Sequence, residues 1–595
     1  MSNENVTSTE VLLNSTNITS LQSSSVSPGI NNTDSFSSNY SIETTSSIIL
    51  PVTKLNGSIG DDLSTNTFAS TISFSNTTTS LTDVNTSLTS DVLLNNTTES
   101  TKAIDGVFSG ADTFFLLTMG IIVFFMQGGF ALLECGAVRS KNTTNILIKN
   151  LLHIFVAGIA YWILGYALAY GDGNSFIGFS LFASYKVEGT MLANWFFQFV
   201  FAATASTIVS GSVAERCSFS VYIVYSFLIT GFIYPVVSHW AWSDRGWLAV
   251  GDGTNKFKDL AGSGVVHLVG GTSAFVGTVL LGPRIGKFDP ITGIPNDIRG
   301  HSVPLTAVGG FILLFGFLAF NGGSLGHITQ PGDGAALATI VANTIIGGSF
   351  GGIINLIIHR LVALSKPRQW SLLFFLNGVL AGMVSTCAGC EEFYPWGAAV
   401  VGTIGGLLFF FLHVVIIAAK IDDPLDAVAV HFGGGFWGLI AAPLFKRHSG
   451  IVFDNSNESF MGLAWNIAGM TAIIGWSGIL SLLMFGLLKA FGLFRVDPET
   501  ELKGLDITNH GDPAYPAPSW EEEQYSHRYA QDGNHTVDGR KSKDQTEVDL
   551  LPNMTFNENS GKRTRKTQPE PGRFRLMSTS TNPAFIPDTQ TTTHL

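Results

Sequence analysis

Between about residues 111 and 495 the chain alternates long apolar runs with short polar breaks. A helix needs about 20 mostly apolar residues to cross a hydrocarbon layer. Eleven runs fit that length, centred near 125, 157, 203, 230, 270, 313, 347, 380, 408, 437 and 478. The pattern predicts an all-α polytopic membrane protein with eleven transmembrane helices. Several runs are rich in glycine, which suits close helix packing in lipid. An odd number of crossings puts the two ends of the chain on opposite faces.

The flanks read differently. Residues 1–108 are rich in Ser, Thr and Asn and poor in long apolar runs, so the pattern predicts a disordered tail. It carries Asn-x-Ser/Thr sequons at Asn5, Asn14, Asn17, Asn31, Asn39, Asn56, Asn76, Asn85, Asn95 and Asn96, a density that points to a glycosylated extracellular segment. No apolar signal core opens the chain, so the tail is expected to cross by means of the first span. The membrane domain is expected over 109–495 and a cytoplasmic tail over 496–595. Of that tail, 496–515 reads as an ordered segment and the remainder as disordered. The basic run "KRTRK" reads as solvated, with anionic lipid as the other partner.

Composition and charge sharpen this picture. Only 13% of residues are charged, against about 25% in soluble domains. The net charge of −12 lies mostly in loops and tails, and no basic stripe suggests nucleic acid. Lys and Arg cluster in "RSK" (139–141), "ER" (215–216), "GPRIGK" (282–287), "HRLVALSKPRQW" (359–370) and at Lys420, all on one face of the alternation. That face is expected to be cytoplasmic. Lys256, Lys258, Lys446 and Arg447 run against the bias. The resulting orientation, N-terminus outside and C-terminus inside, agrees with the sequons. Four cysteines are too few for a disulfide scaffold. Cys387 and Cys390 form a CxxC whose spacing admits a disulfide or redox pair, while two thiols alone do not make a metal site.

One short pattern occurs twice. "VVHLVGG" at 265–271 matches "AVHFGGG" at 429–435, on the fifth and tenth runs. Five crossings reverse direction, so the match implies a 5+5 inverted repeat plus one extra helix, an arrangement that places a shared site near mid-membrane. His267 lies about 12 Å along a helix from Asp259, near the bilayer centre, and His431 enters from the other side. Ionisable groups at that depth are costly and mark pathways. His153, His239 and His413 lie nearer span ends and read as packing residues. Asp259, eight residues before His267, and Asp426, five before His431, read chiefly as helix caps. Asp259 adds an electrostatic preference for cations at the entrance.

The stretches "MQGGFALLECGAVRSKN", "GSVAERCSF", "DLAGSGVVH", "GFLAFNGGS", "DDPLDAVAVHFGGG" and "GLDITNHGDPAYP" together resemble the ammonium transporter (Amt) branch of the Amt/Mep/Rh family, over about 111–515. The resemblance implies a homotrimer in the plasma membrane with one pore per subunit, eleven helices, and no cofactor, metal or catalytic residue. It places twin pore histidines at His267 and His431 and the fifth-helix aspartate at Asp259. It also places two gate phenylalanines at Phe201 and Phe320, and an outer recruitment site at Trp242, Ser324 and Phe197. Phe317 departs from the Trp that many members carry. Thr508 matches a position phosphorylated in some plant members, in a segment that docks under a neighbouring subunit.

These residues suggest a chemistry. An unpaired ammonium ion is expensive in an apolar pore, and cation–π attraction at an aromatic site returns only about 0.5–2 kcal/mol. The reading is therefore recruitment of NH4+, deprotonation, and parallel passage of NH3 and H+, the proton relayed by the two imidazoles. An electroneutral NH3 channel, an ammonium sensor with a signalling tail, and an intramembrane metalloenzyme using the two histidines and an aspartate are the competing readings.

Overall fold

The computed structural model describes residues 87–362 and 369–515. Eight of the ten sequons and the basic "KRTRK" run lie outside the described residues. Among these residues every regular element is helical, with no strand and only isolated bridges such as Cys217 with Arg495.

The helices are α1 (Ser87–Ala137), α2 (Ser140–Tyr170), α3 (Thr190–Ser212), α4 (Phe219–Val250), α5 (Ser263–Leu281), α6 (Val303–Gly323), α7 (Asp333–Val362), α8 (Leu372–Thr386), α9 (Pro395–Ala418), α10 (Val428–Phe445), α11 (Asn457–Ala490) and the short α12 (Pro498–Lys503). Ten of these are long and apolar enough to cross a membrane. The tenfold count differs from the eleven runs of the sequence because α8 is only fifteen residues long. It stops where the chain turns through Cys387 and Ala388, whose carbonyls receive the N–H groups of Ala261 and Leu260. That turn serves the segment leading into α5, so helix length is given up for a docking contact.

At the other end, α1 begins at Ser87, before the tail boundary expected at 108. Its apolar part starts at Ser109. Once a helix is nucleated each further residue adds one hydrogen bond, so the polar turns extend from the apolar span.

Outward faces carry exposed large side chains such as Phe114, Phe155, Phe311, Phe350, Phe411 and Ile479, the surface a lipid-facing bundle requires. Helices α3 and α5 are the most enclosed. Helix α1 packs along α6, and α7 packs against α8 and α9. Helix α5 packs against α10 and α11.

Helices α5 and α10 share a local feature. Both open with a π-helical turn, Ser263–Leu268 and Val428–Gly433, and each turn carries one histidine. Such turns are rare and concentrate at functional sites. The two helices cross without room for a side chain. A Cβ on Gly271 would sit 2.7 Å from Phe432 Cα and 2.9 Å from the His431 carbonyl carbon. One on Gly435 would sit 3.0 Å from Leu268 N.

A buried ionic cluster joins the ends of these helices. Glu215, just after α3, has a fully buried side chain that pairs with Arg139 at 3.0 Å and Arg284 at 2.5 Å. Arg284 also forks onto Asp422, with Nε to Oδ2 at 2.8 Å and Nη2 to Oδ1 at 2.9 Å. Arg216 donates to the carbonyls of Ser212, Ala214, Gly282 and Asp422. Glu501 of α12 accepts from Ile285 N and Arg495. Four helix connections and the tail therefore meet at one set of charges. The sequence marked these Lys and Arg only as topology signals.

All four cysteines are free and buried. The Cys387 and Cys390 sulfurs face the Met383 and Cys387 carbonyls. The pair is packing, not the disulfide or redox centre its spacing admitted.

Two outcomes follow for stability. Gly271→Val should destabilise the purified protein by about 1–3 kcal/mol, the usual cost of overpacking, read as a lowered unfolding temperature in detergent. Burial acts to raise the Glu215 pKa, but Arg284 and Arg139 outweigh it and hold the carboxyl at about 2, below its ordinary 4.5. Because the folded value is the depressed one, its contribution is full above pH 4.5 and is lost as pH falls towards 2. Glu215→Gln should cost about 3–5 kcal/mol at neutral pH and flatten that acid-side loss in a thermal unfolding series.

Candidate functional site

Asp259 lies in the lining of the cavity expected as the entrance. Its carboxylate accepts from Gly262 N at 3.0 Å, Gly264 N at 2.8 Å and Val265 N at 2.9 Å, so it caps the π turn that opens α5. Gly262 takes φ 87°, a left-handed conformation that lets the chain fold back over the carboxylate. Burial raises the Asp259 pKa to about 6, against the lowering pull of these N–H groups. The Asp259 carbonyl in turn accepts from Trp242 Nε1 at 2.8 Å and fixes the indole.

Trp242, Phe197, Phe201, Asp259 and Ser324 line one open cavity of about 610 Å³, together with Gln198, Asn194, Asp244 and Lys256. Ser324 Oγ donates to the Phe320 carbonyl at 2.8 Å, which leaves the oxygen's lone pairs as acceptors. Phe201 stands at the floor. Its ring lies 6.0 Å from Trp242, 4.8 Å from Phe197 and 4.0 Å from Phe320, the last stacked at 15°. The Phe201–Phe320 stack separates the cavity from the two histidines.

Below the stack, His267 and His431 face each other, Nδ1 to Nδ1 at 3.2 Å. One nitrogen must donate and the other accept, so a proton taken up at the outer nitrogen of one ring, passage of the shared proton, and release from the outer nitrogen of the other together exchange their roles. The rings are 5.2 Å apart and nearly parallel at 19°. His267 is wholly buried and its Nε2 has no hydrogen-bond partner. Phe320 lies 5.4 Å from the His267 ring and Phe317 stacks on it at 5.5 Å and 11°. The structure thus brings together every residue expected for the entrance, gate and pore.

Phe317 entered the sequence reading only as a departure from a family pattern. Its position three residues before Phe320 places both on one helix face, and here it forms part of the wall against His267.

The capping role expected of Asp426 is corrected. Asp423 holds it, its Oδ2 accepting from Val428 N at 2.7 Å. Asp423 stands eight residues before His431, the same offset as Asp259 from His267. Asp426 instead meets His413 Nδ1 at 2.7 Å. His413 is therefore the hydrogen-bond partner of a carboxylate, unlike His153 and His239, whose two ring nitrogens each find hydroxyl or carbonyl partners.

Thr508 lies in an exposed turn, its Oγ1 donating to the Gly504 carbonyl at 2.9 Å. The segment around it is tied to the start of α2 in the same chain. Asp506 accepts from Asn145 N at 2.8 Å, Asn142 Oδ1 accepts from Leu505 N at 3.0 Å, and Lys141 donates to the Glu501 and Leu502 carbonyls.

Residues 114–515 match the Ammonium Transporter Family. "Putative ammonium transporter 1" of Caenorhabditis elegans is 46% identical over 440 residues, covering 70% of this chain and 81% of the relative. "Ammonium transporter 1 member 3" of Solanum lycopersicum is 36% identical over 438 residues, covering 69% and 94%. Among solved structures, "Sensor Amt Protein" is 31% identical with a TM-score of 0.63, covering 68% of this chain and all of that one. Candida albicans Mep2, 24% identical with a TM-score of 0.58 and covering 65% and 87%, shares the fold.

Proposed function

The chain belongs to the ammonium transporter family, and from that premise we propose that it recruits NH4+ at the outer aromatic cavity, deprotonates it there, and conducts NH3 and H+ separately past His267 and His431. It is a membrane transporter and not an enzyme. The observation that carries the relay is the 3.2 Å contact between the two Nδ1 atoms behind the Phe201–Phe320 stack.

The physical sequence is short. Phe197, Phe201 and Trp242 offer ring faces to a cation, worth about 0.5–2 kcal/mol, while Ser324 accepts an N–H. This does not replace the hydration of a full charge. Asp259 adds negative charge at the mouth as it titrates. The Phe201–Phe320 stack excludes the hydrated ion, so only the neutral molecule continues. Potassium matches ammonium in size but has no proton to give up, and the same route rejects it.

In this proposal α8 counts as the eleventh crossing, completed by the turns after Thr386, and α1–α5 and α6–α10 form the inverted halves. The reading includes a homotrimer in the plasma membrane, the glycosylated N-terminus outside and the C-terminus cytoplasmic. The trimer and the plasma membrane rest on the family, and the orientation rests on the sequons and the Lys/Arg bias. A second reading, an ammonium sensor, is favoured by the likeness to "Sensor Amt Protein". A transport-dead, correctly located variant that retained the ammonium phenotype would establish it.

Two outcomes test the proposal. Ammonium-evoked current in voltage-clamped oocytes should fall by at least about tenfold in His267→Ala, within the range expected for losing one proton-transfer group. Undiminished current removes the relay. Thr508→Asp should lower the current, because charge and bulk beside the Gly504 carbonyl oppose the docked turn. Unaltered current at equal surface expression removes the regulatory role.

A further inference from the structure

A second group of ionisable side chains lies at the start of α10, and the mechanism above does not use it. Asp423 Oδ2 satisfies Val428 N, yet Oδ1 of the same carboxylate is buried with no hydrogen-bond partner. Capping accounts for one oxygen and not for the other. Three residues on, Asp426 is held at φ 59°, a left-handed conformation that persists where surroundings enforce it and that clusters at functional sites. Its Oδ1 meets His413 Nδ1 at 2.7 Å and its Oδ2 lies 3.4 Å from Asn377 Nδ2.

The histidine pair is asymmetric. His267 has no exposed surface and is walled by Phe317 and Phe320, whereas His431 keeps 6% of its surface. His431 is thus the one ring of the pair with exposed surface, and α10 carries Asp423 eight residues towards its start.

We propose that Asp423, backed by the His413–Asp426 pair, is the inner proton acceptor of this pore, a role that rests on the relay reading above. The step is proton transfer without oxidation or reduction. An N–H bond of His431 breaks as an O–H bond forms on the carboxylate of the half-buried Asp423, with water at the inner mouth carrying the proton between them. That O–H bond then breaks as the proton passes through His413–Asp426 to bulk water, restoring the carboxylate. NH3 leaves by the same mouth and is protonated there by solvent.

The surroundings suit a group that takes and releases a proton. Burial and the neighbouring Asp426 raise the Asp423 pKa to about 7, close to the operating pH at which acid–base transfer is most effective. Arg216 acts on Asp423 with the opposite sign. Lys287, Asp423 and His359 are the other charged or titratable groups acting on His413.

The test uses the full-length protein in liposomes, with ammonium-evoked current and radiolabelled methylammonium uptake measured on equal amounts of incorporated protein. Asp423→Asn keeps the size and a capping oxygen but cannot accept the proton. Its current should fall about tenfold further than its uptake, and Asp423→Glu should recover most of the current. His413→Asn should shift the dependence of current on internal pH. Current and uptake falling in parallel, or an undiminished Asp423→Asn current beside a wild type that conducts, overturns the acceptor alone. A wild type that takes up substrate with no current overturns the relay and the acceptor together.

Discussion

An imidazole pair can occupy the middle of a hydrocarbon layer only if each ring finds its polar partner in the other. Here that requirement is met by the 3.2 Å contact between His267 and His431. The contact requires α5 and α10 to approach until backbone touches backbone, which Gly271 and Gly435 permit. It also requires the two helices to present their histidines at matching positions, which the paired π turns provide. The aromatic cavity and the Phe201–Phe320 stack are arranged around this crossing.

The charges at the ends of the helices serve the same crossing from a distance. Arg284 holds Asp422, and Asp422 immediately precedes Asp423, whose carboxylate caps the turn carrying His431. Glu215 completes the pairing of Arg284, and Glu501 binds the backbone next to it. A buried charge left without its partner costs far more than the pair contributes, so this cluster fixes position more than it adds net stability. The tail segment around Thr508 reaches the same region through Asn142 and Asn145.

Much of the fold was legible because lipid imposes a simple code. Runs of about 20 apolar residues have few alternatives to crossing helices, and the described chain is helical as that code requires. The count was less secure at α8, where the need to dock Cys387 and Ala388 against Leu260 and Ala261 shortens a helix that composition alone extends. The repeated histidine motif was readable because it is local. Asp426 is the carboxylate nearest the second histidine motif, but the eight-residue offset that Asp259 keeps from His267 belongs to Asp423, which makes the cap.

The sequence by itself determined the helical class, the apolar boundaries, the twin histidines and, through family motifs, the aromatic entrance. These depend on composition and short-range spacing, which a chain displays before it folds. Only the tertiary structure decided that Phe317 stacks on His267, that His413 pairs with Asp426, that Cys387 and Cys390 remain thiols, and that Glu215, Arg284 and Asp422 form one cluster. Each of those joins residues from separate helices or connections, or depends on how a turn is buried. Such pairings are set by helix crossing and burial, and no local pattern records them.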